Sequence, residues 1–319
     1  MANILVTHGI PDSAFSILKE HHVIMPERGK AFSREELFAL LPDCNAVLAC
    51  GRFSADFINA APKLKIISNY GAGYDKIDVW AATEHRIPVT NCPDCTAQPT
   101  AEIAIGLILS CARRIGELDR ELRRVPPESV FGMGHFMGMG LHGRTLGIIG
   151  YGNIGRVVAD FGRLVGMQVV YHNRNRLSPE RENGAEYMPL DELLKQVDIL
   201  SIHCPLTEET EGLLSANRLS LLKSTAILIN TARGAIVDEH ALATMLKNGR
   251  LFGAGLDVFS HEPHILKELV ELDNVVLTPH IGTNTMDARN AMAHDASVRI
   301  LEALAGRRPP NVVNPEIYE

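Results

Sequence analysis

Three side chains of this sequence could together assist the transfer of a hydride to or from a small anionic carbonyl compound: Arg233, Glu262 and His280. Carbonyl reduction needs a proton donor for the developing alkoxide, and histidine titrates in the range that this requires. A carboxylate beside the imidazole would fix its tautomer and favour its charged form. An arginine would hold a substrate carboxylate and polarise the reacting carbonyl. Each residue alone has an ordinary structural explanation, so the prediction rests on the set.

Short apolar runs precede these residues and predict β-strands. The runs are continuous rather than alternating, as in strands that are covered on both faces. Amphipathic stretches at 190–196 and 239–248 predict helices between them. The second half of the chain is therefore expected to form an open, mostly parallel, doubly wound sheet. Its predicted strands are 145–149, 168–172, 198–203, 226–230, 253–258 and 275–277.

The candidate site residues follow these strands. In a doubly wound sheet a ligand binds beyond the carboxyl ends of the strands, so residues that are distant in sequence would meet at one edge. This placement is the main reason to expect one site. Besides the three residues above, the candidate cofactor contacts at this edge are Cys204, Pro205, Thr231, Ala232, Asp257 and Gly282.

A glycine-rich segment, Gly-Tyr-Gly-Asn-Ile-Gly at 150–155, follows the first of these strands and opens a predicted helix at 153–164. The first glycine permits a tight turn, the second lets the backbone approach a pyrophosphate, and the third allows close helix–strand packing. The helix N-terminus supplies N–H groups for the phosphates. The segment predicts a dinucleotide site formed by Gly150, Gly152, Asn153, Ile154 and Gly155.

The next strand lacks the acidic residue that is typical of NAD sites. It continues instead into Asn-Arg-Asn-Arg at 173–176. No carboxylate is then available to bind the ribose 2′-hydroxyl or to repel a 2′-phosphate. Arginine could pair with that phosphate through its planar guanidinium. The sequence therefore favours NADP over NAD, with Asn173, Arg174 and Arg176 as candidate contacts.

The first part of the chain shows a weaker form of the same alternation of apolar runs and helical stretches, with candidate strands at 3–7, 46–50, 65–68 and 89–91. We expect a smaller α/β domain at 1–98, completed by 290–319, and a dinucleotide-binding domain at 99–289. A long helical stretch at 100–124 would lead into the second domain, and a last helix at 287–305 would cross back. A Gly/Met-rich loop at 131–140 is expected to be a connector or a contact with a partner subunit.

Composition argues against several other classes of protein. The 319 residues suffice for two cores, and 46% hydrophobic with 22% charged residues is typical of a globular protein. The net charge of −7 argues against nucleic-acid binding. No apolar stretch reaches the roughly 20 residues of a membrane span, and the start lacks the features of a signal peptide, so a cytoplasmic protein is expected.

The cysteines and the clustered histidines give weaker signals. Cys92 and Cys95 form an isolated CxxC without a second pair, which favours reduced thiols over zinc or redox chemistry. His261 and His264 lie on a proline-containing loop without an obvious third ligand. We therefore predict no metal site.

The motifs resemble those of the D-isomer-specific 2-hydroxyacid dehydrogenases over nearly the whole chain. Besides the glycine-rich segment, the resemblance lies in residues 69–78, 100–107, 231–234, 256–263 and 278–282. It implies a Rossmann coenzyme domain and a smaller flavodoxin-like substrate domain, which close over a cleft, and a homodimer built on the coenzyme domain.

The same resemblance implies roles for individual residues. Arg233, Glu262 and His280 would be the catalytic set, and Asp257 would lie near the nicotinamide amide. Backbone N–H groups in the loop Gly71–Gly73, at Ala72 and Gly73, would bind the substrate carboxylate.

The Asn-Arg stretch at 173–176 is similar to that of the NADPH-dependent glyoxylate/hydroxypyruvate reductases of this family. The implied activity is reduction of a small 2-oxoacid to the D-2-hydroxyacid, with His280 as proton donor. The alternatives are a nucleotide-sensing scaffold of the same fold, or an NAD-type dehydrogenase for another 2-hydroxyacid.

Overall fold

The computed structural model describes residues 1–11 and 13–319. Contacts divide the chain into a first unit, residues 1–96 with 283–319, and a second unit, residues 97–282. The sequence placed these boundaries at 98/99 and 289/290. The second division falls earlier than predicted because the last long helix belongs entirely to the first unit.

The first unit contains a five-stranded parallel sheet with the strand order β2-β1-β3-β4-β5. Buried apolar side chains lie on both of its faces, which accounts for the apolar character of the strands. Its elements up to residue 96 are strands β1 (Asn3–Val6), β2 (His22–Ile24), β3 (Ala46–Ala49), β4 (Ile67–Asn69) and β5 (Val89–Thr90), and helices α1 (Arg34–Leu40), α2 (Ala55–Asn59) and α3 (Val79–Glu84).

The second unit contains a seven-stranded parallel sheet with the strand order β12-β11-β10-β9-β6-β7-β8. The two parallel sheets confirm the predicted fold class. Its helices are α4 (Ala97–Ala112), α5 (Ile115–Arg124), α6 (Asn153–Leu164), α7 (Pro179–Glu182), α8 (Leu190–Gln196), α9 (Ala216–Leu219), α10 (Glu239–Lys247) and α11 (Lys267–Val270). Its strands are β6 (Thr145–Ile149), β7 (Gln168–His172), β8 (Glu186–Tyr187), β9 (Ile199–Ile202), β10 (Ile227–Asn230), β11 (Gly253–Leu256) and β12 (Val275–Leu277).

The chain returns to the first unit through helix α12 (Met286–Leu304). The Thr285 hydroxyl caps this helix by accepting the N–H of Ala288. Apolar residues of its buried side, such as Met292 and Ile300, join one face of the first unit's core. This burial fixes the helix beside the strands that carry the Gly71–Gly73 loop.

The helical stretch predicted at 100–124 is divided into two helices in the structure, α4 and α5. Arg114 adopts a left-handed conformation with a φ of 55° between α4 and α5. Its guanidinium donates to both oxygens of Glu117, at 2.6 and 2.8 Å. The left-handed residue is an arginine, and the nearby glycine, Gly116, lies inside α5 rather than at the break, so the sequence pattern does not locate the break.

Strands β2 and β8 were not predicted. They contain three and two residues and lie at sheet edges, where an alternating or continuous apolar pattern is too short to recognise. Among the helices of the described residues, none has both the length and the apolar character that crossing a membrane requires.

Candidate active site

The candidate residues of the second unit lie at the carboxyl edge of its sheet. The register pairs Ile149 with Ile202, Ile202 with Asn230, Asn230 with Leu256, and Leu256 with Leu277. The segments that follow these last strand residues therefore leave the sheet side by side, and the predicted meeting of distant sequence segments occurs at this edge.

Asp257 connects two of these segments. It is the first residue after β11, and its side chain is 1% exposed. Its carboxylate accepts hydrogen bonds from the Thr278 hydroxyl at 2.6 Å and from the N–H groups of Ile281 and Gly282, both at 2.9 Å. A hydrogen bond to an ionised carboxylate is stronger than one between two neutral groups. Asp257 thus holds both ends of the segment that carries His280.

His280 and Glu262 form a close pair. The Nδ1 atom of His280 lies 2.9 Å and 3.0 Å from the two carboxylate oxygens of Glu262. His280 has a left-handed backbone with a φ of 52°, between the anchoring points on Asp257. Glu262 also accepts the N–H of Phe259 at 3.2 Å. With Nδ1 occupied by the carboxylate, Nε2 is the ring atom that can exchange a proton with a ligand.

Arg233 lies on the segment after β10, next to the segment that carries Glu262. A side chain at Gly234 would collide with the backbone of Phe259 and Ser260, so the two segments touch only because residue 234 is a glycine. Asn230 fixes the turn by donating to the Arg233 carbonyl at 2.8 Å. Arg233 itself donates to the Ala232 carbonyl at 2.7 Å. The turn places a guanidinium at the same edge as the His280–Glu262 pair.

His203 is a residue of this edge that the sequence interpretation missed. It follows β9, and its ring nitrogens lie 2.8 Å from the Ser201 hydroxyl and 3.4 Å from the Thr231 hydroxyl. Burial lowers the pKa of His203 to about 3, so the ring is neutral at neutral pH. A neutral ring can donate to one hydroxyl and accept from the other, which joins the ends of β9 and β10. The sequence did contain a signal for this residue, because His203 directly precedes Cys204 and Pro205, two of the predicted cofactor contacts.

The glycine-rich segment forms the expected turn between β6 and α6. Gly150 has a φ of 91°, and a Cβ there would collide with the backbone of Cys204. At Gly155 a Cβ would lie 2.5 Å from the carbonyl oxygen of Gly150. At Gly152, the N-cap of α6, a Cβ would meet nothing within 4 Å. The space above the helix N-terminus thus fits a phosphate group that approaches the backbone closely.

A cavity of about 570 Å³ continues from this turn along the ends of β7 and β9. Of the predicted cofactor contacts, it is lined by Gly150, Asn173, Arg174, Cys204 and Pro205. A cavity of this size and position suits the adenosine half of a dinucleotide.

The polar residues at the end of β7 have different environments. Asn173 accepts the N–H of Tyr151 at 2.7 Å and so supports the glycine turn. Arg174 forms an exposed ion pair with Glu209 at 2.8 Å, and both line the cavity. Arg176 is instead bonded to both oxygens of Glu182, at 2.7 and 3.2 Å. Arg174 is therefore the arginine of this segment that the cavity places next to a ligand.

The Gly71–Gly73 loop belongs to the first unit. Asn69 donates through its amide to the carbonyls of Gly71 and Gly73, both at 2.9 Å. The amide of Asn91 donates to the Ala72 carbonyl at 2.7 Å, and the N–H of Cys92 donates to the Gly71 carbonyl at 2.8 Å. Three successive carbonyls are thus directed into the unit and held there by side chains that the sequence interpretation did not single out.

In residues 1–11 and 13–319, no three His, Cys, Asp or Glu side chains are grouped as a metal ion would require. His261 and His264 instead form a tight turn in which the N–H of His264 donates to the His261 carbonyl at 2.8 Å.

Comparisons with known proteins agree with this geometry. The family model described as "D-isomer specific 2-hydroxyacid dehydrogenase, NAD binding domain" matches residues 105–282. A glyoxylate reductase of Thermococcus onnurineus is 42% identical, over 98% of this chain and 96% of its own length.

Two solved structures extend the likeness to the whole fold. The structure of a glyoxylate reductase from Paecilomyes thermophila has a TM-score of 0.89 at 31% identity and covers 99% of each chain. An NADPH-dependent glyoxylate/hydroxypyruvate reductase from Sinorhizobium meliloti, in complex with NADP and malonate, has a TM-score of 0.86 at 32% identity, covering 98% of this chain and 96% of that one.

This chain therefore belongs to the D-isomer-specific 2-hydroxyacid dehydrogenase family. It is an oxidoreductase with a domain for a nicotinamide dinucleotide, as the sequence predicted.

We expect the buried, neutral His203 to lower the free energy of unfolding in mild acid. In the unfolded chain the ring binds a proton below pH 6.5, whereas in the folded protein it does so only near pH 3. Stability should therefore fall as the pH drops through this window, by at most about 1.4 kcal/mol per pH unit from this residue. In urea titrations at pH 7 and pH 5, His203→Asn should lose less unfolding free energy than the wild type. Equal losses would contradict the prediction.

Proposed function

We propose that this protein is an NADPH-dependent reductase of small 2-oxoacids, of the glyoxylate and hydroxypyruvate type, that forms the D-2-hydroxyacid with His280 as proton donor. The observation that carries the proposal is the His280–Glu262 pair, at 2.9 Å, on a segment anchored by Asp257. The relatives named as glyoxylate reductases, at about 40% identity, support the substrate class.

The residues of the chain supply proton transfer and positioning. The bound cofactor supplies the hydride. His280 donates the proton from Nε2 to the oxygen that was the carbonyl, while Glu262, in contact with Nδ1, holds the ring in position for the transfer. Arg233 binds the carboxylate of the 2-oxoacid and polarises its carbonyl.

We propose that the Gly71–Gly73 loop is a second binding element for the substrate carboxylate. The carbonyls of Gly71, Ala72 and Gly73 are held by Asn69 and Asn91. This arrangement supports the use of the N–H groups at Ala72 and Gly73 as donors to an anion, because a peptide's N–H and carbonyl point in opposite directions.

The cofactor preference rests on Arg174. Its ion pair with Glu209 is exposed, and such pairs contribute only about 0–1 kcal/mol, so a 2′-phosphate can replace the carboxylate as its partner. Asn173 occupies the position at the strand end where a carboxylate would select NAD. The solved relative from Sinorhizobium meliloti, named NADPH-dependent and crystallised with NADP, supports the same choice.

We also propose a homodimer. Phe131, Met133 and Met137 are exposed on the Gly/Met-rich loop of the second unit, and Ile115 and Leu122 are exposed on α5. Exposed apolar side chains concentrated in one stretch are typical of an association surface. Sedimentation equilibrium should give twice the 34.9 kDa of one chain, and the mass of a single chain at micromolar concentration would contradict the proposal.

Replacing the proton donor tests the proposal most directly. His280→Ala should lower kcat for glyoxylate by roughly 10²- to 10⁴-fold, the usual contribution of a positioned acid. The dissociation constant of NADPH, measured by fluorescence, should stay within about twofold because the substitution leaves the glycine turn intact.

His264→Ala, on the exposed turn near Glu262, is the matched control and should retain wild-type rates. Unchanged turnover in His280→Ala would overturn the assignment.

Cofactor choice gives a separate test. Arg174→Ala should raise the dissociation constant of NADPH by about tenfold, since one charged hydrogen-bonded contact is lost, and should change that of NADH little. Glu209→Gln should have the opposite effect on NADPH, because it removes the carboxylate that competes for Arg174. Equal changes for NADPH and NADH would argue against a 2′-phosphate at this position. Arg181→Ala, exposed on the nearby helix α7, is the control.

A further inference from the structure

We propose that Cys92 and Cys95 form a reversible disulfide, and that this disulfide weakens substrate binding through the Gly71–Gly73 loop. The first part stands on the cysteine pair alone. The second part rests on the proposed function, because it assumes that this loop binds the substrate carboxylate.

The two thiols are within bonding reach. Residues 93–96 form a turn between β5 and α4, and a turn brings residues three apart to within about 7 Å between Cα atoms. Disulfides span about 4.4–6.8 Å between Cα atoms. The Thr96 hydroxyl holds the turn by hydrogen bonding to the carbonyls of Cys92 and Pro93, both at 3.1 Å. The Cys95 thiol also points back to the Cys92 carbonyl, at 3.8 Å.

The surroundings activate one thiol and protect the other. A hydrogen bond with Cys92 lowers the pKa of Cys95, and the Arg299 charge acts in the same direction, whereas burial and Asp295 oppose them. The same bond, together with burial, raises the pKa of Cys92. Arg299 is 4% exposed and forms an ion pair with Asp295 at 3.5 Å, while its Nε has no hydrogen-bond partner among the described residues.

The other four cysteines lack this activation. Burial is the main cause that raises their thiol pKa values, to about 11 for Cys44 and Cys204 and to about 12 for Cys50 and Cys111. All six cysteines lie in the described part of the chain, and Cys95 alone has a lowered pKa. Because the thiolate is the nucleophile, Cys95 is the thiol that should react first.

The chemistry balances with a small disulfide as the oxidant. The half-buried Cys95 thiolate attacks one sulfur of R–S–S–R, forms a mixed disulfide and expels one R–S⁻. Cys92 then loses its proton and attacks the Cys95 sulfur, which expels the second R–S⁻. Two protein thiols are oxidised to one disulfide, and the small disulfide is reduced to two thiols.

The link to the substrate loop is a short set of hydrogen bonds within the first unit. The N–H of Cys92 donates to the Gly71 carbonyl at 2.8 Å. Its thiol donates to the Asn69 carbonyl at 3.5 Å and to the Met292 carbonyl at 3.8 Å. Asn69 in turn holds the carbonyls of Gly71 and Gly73. A disulfide has no S–H group, so its formation removes the Cys92 thiol's bonds to these carbonyls and loosens the residue on which the loop rests.

The test begins with mass spectrometry of the full-length protein after treatment with glutathione disulfide. The wild type should lose two hydrogen atoms, with the bond mapped to residues 92 and 95, and dithiothreitol should restore the original mass. Cys92→Ser should instead retain one glutathione on Cys95, because no resolving thiol remains. Cys95→Ser should acquire no disulfide between these positions. Cys44→Ser, whose thiol lies elsewhere in the first unit, should behave as the wild type.

An unchanged wild-type mass, or a mass change that persists in Cys95→Ser, would overturn the disulfide. If Cys92→Ser fails to fold, Cys95→Ser still tests the disulfide, because position 95 is only half-buried and tolerates the change.

Kinetics test the second part. In the oxidised wild type the KM for glyoxylate should rise about five- to tenfold, the effect of one or two lost hydrogen bonds, while the dissociation constant of NADPH stays unchanged. Reduction should reverse the rise, and Cys95→Ser should show none. An unchanged KM in protein shown by mass to carry the disulfide would overturn the control of substrate binding. Absence of turnover in the reduced protein would contradict the proposed function instead, and the mass measurement would still decide the disulfide.

Discussion

The candidate active-site edge depends on one buried carboxylate. Asp257 accepts three hydrogen bonds from the segment that carries His280, at 2.6 to 2.9 Å. A buried charge is stable only when such bonds replace water, and these bonds in turn fix a backbone that would otherwise not hold a histidine at a φ of 52°. The histidine can then meet Glu262, which comes from a different segment. Packing, charge and the candidate chemistry are therefore linked through the end of β11.

Glycine allows the separate segments to come close enough. Gly150 brings the β6–α6 turn against the backbone of Cys204, and Gly234 brings the Arg233 turn against the backbone after β11. In both cases a Cβ would occupy the position of backbone atoms, which cannot move aside as a flexible side chain can. The parallel sheet supplies the common edge, but these two contacts determine how near the segments lie. The cavity beside the glycine turn and the position of Arg233 beside the Glu262 segment thus both depend on a glycine at a backbone contact.

Much of the fold could be predicted from the sequence because strands and turns follow from local residue patterns. Continuous apolar runs predicted six of the seven strands of the second unit, and the glycine motif predicted the turn before α6. Contacts between distant segments were less accessible. Three contacts depend on side-chain directions that sequence spacing does not reveal. They are the hydrogen bonds of Asp257 to the His280 segment, the position of His203 between two hydroxyls, and the pairing of Arg176 with Glu182. The helix break at Arg114 likewise could not be located, because the residue with the left-handed backbone is an arginine and not a glycine.

The most direct test of the account is the initial rate of cofactor oxidation with a panel of glyoxylate, hydroxypyruvate, pyruvate and phenylpyruvate, each measured with NADPH and with NADH. We predict rapid NADPH oxidation with glyoxylate or hydroxypyruvate and slower oxidation of NADH. Faster turnover with NADH would contradict the proposed role of Arg174. Tight NADPH binding without turnover on any of the four acids would contradict the account as a whole and would indicate a nucleotide-sensing scaffold.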